Sequence, residues 1–275
     1  MSQLKKLIVV TGATGSQVCY RVLIFTVELA NKILQGFPII KYLLGTNRYN
    51  VRAVTRQIDS PRATLLKDVG AEVVLGDYDN PATLTDAFSG ADAVFCNTNF
   101  WEHLSVDNEI RQGLAVAKAA AEEPRVKNFI YSYLADSRTL FGGKYQDNQA
   151  YNAKSLTLER IQTQFPELYK ITTKLSIAFY YDNWVKYQLA FGPIKRKDGV
   201  FEMAMPYPST NKIPTASPED AGVVIAAIID AEGKYNGKWI SLVAEQLTDD
   251  EKLATWVEGK CSVSQSHVKE LTGYD

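Results

Sequence analysis

The chain is poor in the residues that build metal sites and disulfide frameworks, with three cysteines and two histidines in 275 residues. Cys19, Cys96 and Cys261 share no ligand spacing with His103 and His267, so neither a zinc site nor a disulfide scaffold is indicated. An excess of charge is missing as well. Thirty Lys and Arg against 31 Asp and Glu leave a net charge of −1. With no local basic cluster either, the electrostatic argument for direct contact with nucleic acid falls away. Crossing a bilayer takes about 20 apolar residues, and the apolar run at 18–30 is too short and carries Arg21 and Glu28. The first strand pattern begins close to Met1, so no signal peptide is expected before it. Internal repeats and low-complexity segments are not seen. Together these absences predict a soluble, metal-free intracellular protein, cytoplasmic with the nucleus as a second location. The length fits one large α/β domain or two smaller ones.

What is present is an alternation of short apolar runs with helical patterns. Strands are expected at 5–11, 50–55, 71–75, 92–97 and 127–132, with helical patterns at 60–69, 80–89 and 105–123 between them. That order predicts a doubly wound parallel sheet of Rossmann type. Beyond 148 the pattern changes to a helix at 150–164, a strand near 170–178 and a Gly/Pro/Tyr-rich stretch at 192–214. We therefore expect a nucleotide-binding core over 1–149. Residues 150–275 should supply a remaining sheet strand and a smaller substrate or partner lobe.

The end of the first strand carries a glycine fingerprint that reads as cut in two. Residues Gly12-Ala13-Thr14-Gly15-Ser16-Gln17 supply the first two glycines, and the third is found only at Gly36. In such a loop the first glycine permits a tight turn and the second lets backbone N–H groups approach a pyrophosphate. The third allows the helix to pack closely on the strand, and that helix N-terminus adds about half a positive charge. If 18–35 is skipped, Gly36 completes the motif and Pro38 falls in the first helical turn, where a missing N–H does no harm. Read continuously, Pro38 lies deep in a helical stretch and would break it. Eighteen residues are a whole number of codons, Val codons begin GT and Gln can be CAG, so 18–35 reads as an in-frame retained intron. The alternative is a genuine lengthening of the first helix.

The end of the second strand reads the cofactor ribose in folds of this kind. An acidic residue there accepts from the 2′-hydroxyl of NAD, whereas an arginine accommodates the 2′-phosphate of NADP. Here the residue is Arg56, 44 positions after Gly12 and 26 once the interruption is set aside, which favours NADP(H). The alternative is a solvated charge at a strand end.

These pieces resemble the NmrA-like family, atypical members of the short-chain dehydrogenase superfamily. The resemblance is carried by Val10–Gln17, Val51–Arg56, Gly70–Tyr78, Asn97-Thr-Asn-Phe-Trp-Glu102, Ile110–Gly113, Lys154 in Asn-Ala-Lys-Ser-Leu-Thr-Leu-Glu, and Tyr180–Trp184. It implies that the loop at 12–17 holds the pyrophosphate, Arg56 the 2′-phosphate, and Asp77 and Tyr78 the adenine side. It implies further that Thr98, Asn99, Phe100 and Arg111 line the ribose and nicotinamide path, with Lys154 and Phe179-Tyr180-Tyr181 nearer the nicotinamide. Blander roles are open at two points: Phe100 and Trp101 as a cap on the sheet, and Arg111 as a solvated helix charge.

Two departures bear on activity. Ordinary short-chain dehydrogenases place Tyr and Lys at i,i+4 on one helical face, the lysine lowering the tyrosine pKa for proton transfer. Position 150 is Ala, so Lys154 acts alone as general acid/base or merely holds the ribose. Relatives of this type also continue as helical structure beyond Asp275, so a shortened C-terminal end is expected. The resemblance therefore leaves an NADPH-dependent reductase of a small aromatic or polyketide-like compound, with residues 176–208 shaping an apolar pocket. Beside it stands a non-catalytic NADP(H) sensor acting on a regulatory protein. A third reading is a folded relic disabled by 18–35.

Overall fold

The computed structural model describes residues 5–14, 36–260 and 266–270. The suspected insertion at 18–35 and the loop residues Gly15, Ser16 and Gln17 lie outside these. Residues up to Ser176, with Glu219–Ser241, form one compact unit, and Ile177–Pro218 with the residues from Leu242 onward form a second.

The first unit is built as the alternation predicts. Strand β1 (Lys6–Val10) is followed by helix α1 (Gly36–Gly45), β2 (Tyr49–Thr55), α2 (Pro61–Asp68), β3 (Glu72–Leu75), α3 (Ala82–Phe88) and β4 (Ala93–Cys96). Then come α4 (Phe100–His103), α5 (Val106–Glu122), β5 (Asn128–Ser132), α6 (Ser137–Leu140), α7 (Gln149–Gln164), α8 (Pro166–Lys170) and β6 (Thr172–Ile177). Strand Trp239–Leu242 completes a seven-stranded sheet, which reads β3-β2-β1-β4-β5-β6 from its far edge. The pairings among β1 to β6 are parallel, with Val10 beside both Ala53 and Phe95. This is the doubly wound order, in which a crevice forms at the carboxyl ends where the winding reverses between β1 and β4.

Local chemistry explains the boundaries. Ser60 caps α2 by accepting from the Ala63 amide, with Pro61 at the first helical position. Ser105 caps α5 in the same way through the Asn108 amide, 3.3 Å away. The buried face of α5 packs with Val9, Val94, Phe129, Tyr131, Leu158 and Ile161 into the core on one side of the sheet. Full burial of a large apolar side chain is worth roughly 1.5–3 kcal/mol, as an upper estimate. On α1, Ile39, Ile40 and Leu43 are buried, and the helix packs on helix Asp220–Asp230.

The core unit reaches further along the chain than 149. Helix α7 packs along α5, and β6 pairs with β5, so both belong to the sheet's own layers and the break falls at 176/177. Helix α8 has Pro166 at its start and shortens the strand expected at 170–178.

The second unit has two small sheets. One orders Glu245–Leu247, Ile213–Ala216 and Phe179–Tyr180; the other orders Ser266–Glu270, Phe201–Met205 and Ile194–Lys195. The stretch at 192–214 thus carries strands, held by a small core of Trp184, Met203, Met205 and Leu253. Among the described residues no helix is long and apolar enough to cross a membrane, and no cluster of three His, Cys, Asp or Glu could hold a metal ion.

Candidate functional site

The crevice at the β1–β4 switch is lined by Gly12 and Thr14 after β1, and by Val54, Thr55 and Arg56 at the end of β2. Gly76, Asp77 and Tyr78 follow from β3, Asn97, Thr98 and Asn99 from β4, and Glu102 and Gln112 complete it. Its volume is about 70 Å³, below the 300–1,000 Å³ typical of ligand pockets.

Backbone geometry shapes its floor. Gly12 has φ +67°, and a Cβ there would lie 2.9 Å from the Asn97 carbonyl oxygen, so the turn needs glycine on both counts. The Gly12 amide donates to the Tyr78 hydroxyl at 2.8 Å, and burial pushes that phenol pKa up. Tyr78 therefore braces the loop from beneath. The Thr14 and Thr55 hydroxyls meet at 2.8 Å, and Arg62 donates to the Thr14 carbonyl at 3.1 Å. Gly36, the first residue of α1, is buried directly beside the loop: a Cβ there would stand 2.5 Å from the Ala13 Cα. A cradle this tight, opening at a helix N-terminus, suits the pyrophosphate of a dinucleotide.

Ion pairs lie around the crevice. Arg56 Nη2 lies 2.6 Å from Glu102 Oε1, both side chains about half exposed. Burial would lower the Arg56 pKa, but the Glu102 hydrogen bond and the charges of Glu102, Asp77 and Asp79 raise it on balance. Asp79 accepts from Gln112 at 2.9 Å and from Arg111 at 2.8 Å, the Gln112 bond leading the effects that lower its pKa. Arg111 is half exposed and does not line the crevice. Phe100 is likewise absent from the lining, packed instead against Ala150 and Ala153.

Beneath Thr98 lies a buried polar cluster. Lys154 Nζ donates to the Thr98 carbonyl at 3.1 Å, to its hydroxyl at 2.9 Å and to Glu109 Oε1 at 2.9 Å. The Thr98 hydroxyl also donates to Glu109 Oε1. All three donors of the lysine are thus matched, with side-chain exposures of 6% for Lys154 and 0% for Glu109. Glu109 Oε2 and His103 Nε2 are both buried, have no hydrogen-bond partner among the described residues and stand 3.6 Å apart. Because the Ser105 amide donates to His103 Nδ1 at 3.2 Å, the neutral imidazole carries its proton on Nε2, toward Glu109.

Residues 4–262 match the description of one family over nearly the whole chain. The chain belongs to the NmrA-like family. Among curated NmrA-like relatives, an Aspergillus versicolor oxidoreductase, notA′, is 32% identical over 51% of this chain and 35% of its own length. FrzB of Cladobotryum sp., another NmrA-like family domain-containing oxidoreductase, is 26% identical over 92% of this chain and 74% of its own. The match to notA′ thus spans about a third of that protein. Among solved structures, NmrA, a negative transcriptional regulator, in complex with NADP superposes with a TM-score of 0.72 at 20% identity. That superposition covers 98% of this chain and 75% of that one. The same protein in complex with NAD gives 0.71 at 21% identity, covering 98% and 74%. At this identity the likeness establishes the Rossmann-type fold.

Within this NmrA-like chain, the first unit gathers Gly12, Thr14, Arg56, Asp77, Tyr78, Thr98 and Asn99 around one crevice, with Ala13 and Gly36 pressed against its floor. Lys154 reaches it only through Thr98. Phe179 and Tyr181 line a separate cavity of about 560 Å³ within the second unit, with Trp184, Lys252 and Trp256, while Tyr180 is held beside Ala216 in that unit's sheet. Sequence reasoning gave no role to Glu109 or Glu102. Glu109 sits on the apolar stripe of α5, three residues after Val106 and seven before Val116, and a carboxylate on such a stripe is the signal that could have marked it. Glu102 carried a comparable one: an acid closing the motif after the fourth strand, at the crevice Arg56 also reaches.

Proposed function

We propose that this chain binds NADP(H) in the first-unit crevice and reduces a small aromatic or polyketide-like organic compound. The observation that carries the reading is the cradle itself: Gly12 turns tightly against the Asn97 carbonyl and Gly36 presses on Ala13, at the crevice that Arg56 lines. In this reading the loop after β1 and the α1 N-terminus hold the pyrophosphate, and Arg56 takes the 2′-phosphate. Asp77 lies on the adenine side, while Thr98 and Asn99 face the ribose and nicotinamide path. When bound, the reduced nicotinamide supplies the hydride. Thr98 is fixed on both its carbonyl and its hydroxyl by Lys154, which orients this wall. For Lys154 to protonate a product, it would have to release one of its three acceptors.

The second-unit cavity suits the proposed substrate class: Phe179, Tyr181, Trp184 and Trp256 supply aromatic walls. One polar edge comes from Tyr181 donating to Glu245. A second comes from Lys252, paired with Asp249 at 3.2 Å and 5.9 Å from the centre of the Phe179 ring.

The saturated donors of Lys154, with Ala at position 150, favour the second reading, a non-catalytic NADP(H) sensor that engages a regulatory protein. Fluorescence titration of NADPH, followed by turnover assays on a carbonyl and enone panel, separates the two. Turnover that Lys154→Ala abolishes while cofactor still binds supports the reductase. Tight NADPH binding without turnover across the panel supports the sensor, and absence of NADPH binding rejects both.

A further inference from the structure

Arg56 is the one cation among the described residues that line the crevice, where Asp77 and Glu102 also stand. Its guanidinium is already engaged: Nη2 meets Glu102 Oε1 at 2.6 Å. A phosphate monoester carrying about −1.5 to −2 charges needs the same planar donor fork that a carboxylate uses. Both side chains of the pair are about half exposed, so the bridge is exchangeable rather than locked by burial. The backbone beneath Glu102 is better anchored. Phe100 is buried against Ala150 and Ala153, and α4 ends at Leu104 in the left-handed region, φ +51°. Glu102 can therefore release Arg56 by a side-chain movement alone.

We infer that Glu102 sets the cofactor preference of this chain by competing with the 2′-phosphate for the Arg56 guanidinium. The inference rests on the reading of the crevice as a dinucleotide site. A cofactor carrying the 2′-phosphate must displace Glu102 and then sits beside its carboxylate, whereas one carrying only a 2′-hydroxyl leaves the ion pair intact. Glu102 thus narrows the advantage of NADPH over NADH that an unpaired Arg56 would confer.

The test is a titration of NADPH and of NADH, followed by fluorescence, against the unaltered chain, Glu102→Gln and Arg56→Ala. Removing the competing charge should tighten NADPH binding about three- to tenfold and shift NADH less than about twofold. Arg56→Ala should weaken NADPH alone. If Arg56→Ala weakens NADPH but Glu102→Gln changes neither cofactor, or both equally, the competition is refuted and the cofactor site stands. If the unaltered chain binds neither nucleotide, the inference fails together with the reading beneath it.

Discussion

Gly36 and Ala13, 23 positions apart in the chain, meet so closely that a single added methyl on Gly36 would fall 2.5 Å from the Ala13 Cα. The residue that opens α1 is thus in backbone contact with the loop that closes β1. A third glycine in a dinucleotide fingerprint makes this approach, helix on strand. In this chain the approach is made by Gly36, 24 positions after Gly12.

Gly36→Ala should therefore be costly. Overpacking against backbone costs about 1–3 kcal/mol, and the displaced loop should lose NADPH affinity as well. Gly45, at the other end of the same helix with nothing within 4 Å of an added Cβ, is the control. Urea unfolding of both alanine variants is the measurement, and equal stabilities would refute the contact's importance.

Deleting Val18–Gln35 joins Gln17 to Gly36 and restores a continuous Gly-x-x-Gly-x-x-Gly. The shortened chain is expected to bind NADPH at least as tightly as the full one and to melt no lower. A shortened chain that fails to fold or to bind would mean that the segment belongs to the working protein, and the splicing reading would be wrong. Sequencing the transcript across the junction gives an independent answer.

The Glu109–Lys154 pair is buried, and breaking such a pair leaves an uncompensated charge. Glu109→Gln should destabilise the first unit by about 3–5 kcal/mol. The double variant Glu109→Leu, Lys154→Met should recover much of that loss, because neither partner is then stranded. Denaturant unfolding of the single and double variants decides it; additive losses would show that the pair is not coupled.

Asp136 caps α6 and accepts from the Arg138 amide at 2.9 Å and from its Nε and Nη2 at 2.8 Å each. These bonds, the Arg138 side chain first, hold its pKa below the usual carboxylate range. A depressed folded-state pKa means the stabilisation is present above the unfolded value, about 3.9, and is lost as pH falls through the folded value. The stability gap between the unaltered chain and Asp136→Asn should accordingly be flat from pH 7 to about 5 and close on further acidification. A gap unchanged at pH 3 would contradict this.

Much of the first unit was legible because its signals are local. The strands expected at 5–11, 50–55, 71–75, 92–97 and 127–132 all form: β-rich runs bounded by turns and caps carry their own period. The first unit runs to Ser176, beyond the 149 at which the sequence pattern changes, because helix periodicity does not reveal which layer a helix joins; α7 had to find α5 first. Strands in the stretch at 192–214 escaped notice for a related reason, since short strands gain their stability from partners elsewhere in the chain.

The sequence by itself determined the alternation of strands and helices, the glycine turn after β1 and the arginine at the end of β2, because each depends on backbone conformation or on position along a single element. Tertiary structure alone decided which charges meet. Glu102 reaches Arg56, and Glu109 matches Lys154 from another helix. Tyr78 rises from the turn after β3 to accept the Gly12 amide. An ion pair or hydrogen bond requires atoms within about 3 Å, and for residues tens of positions apart only the packed sheet and its helices set that distance.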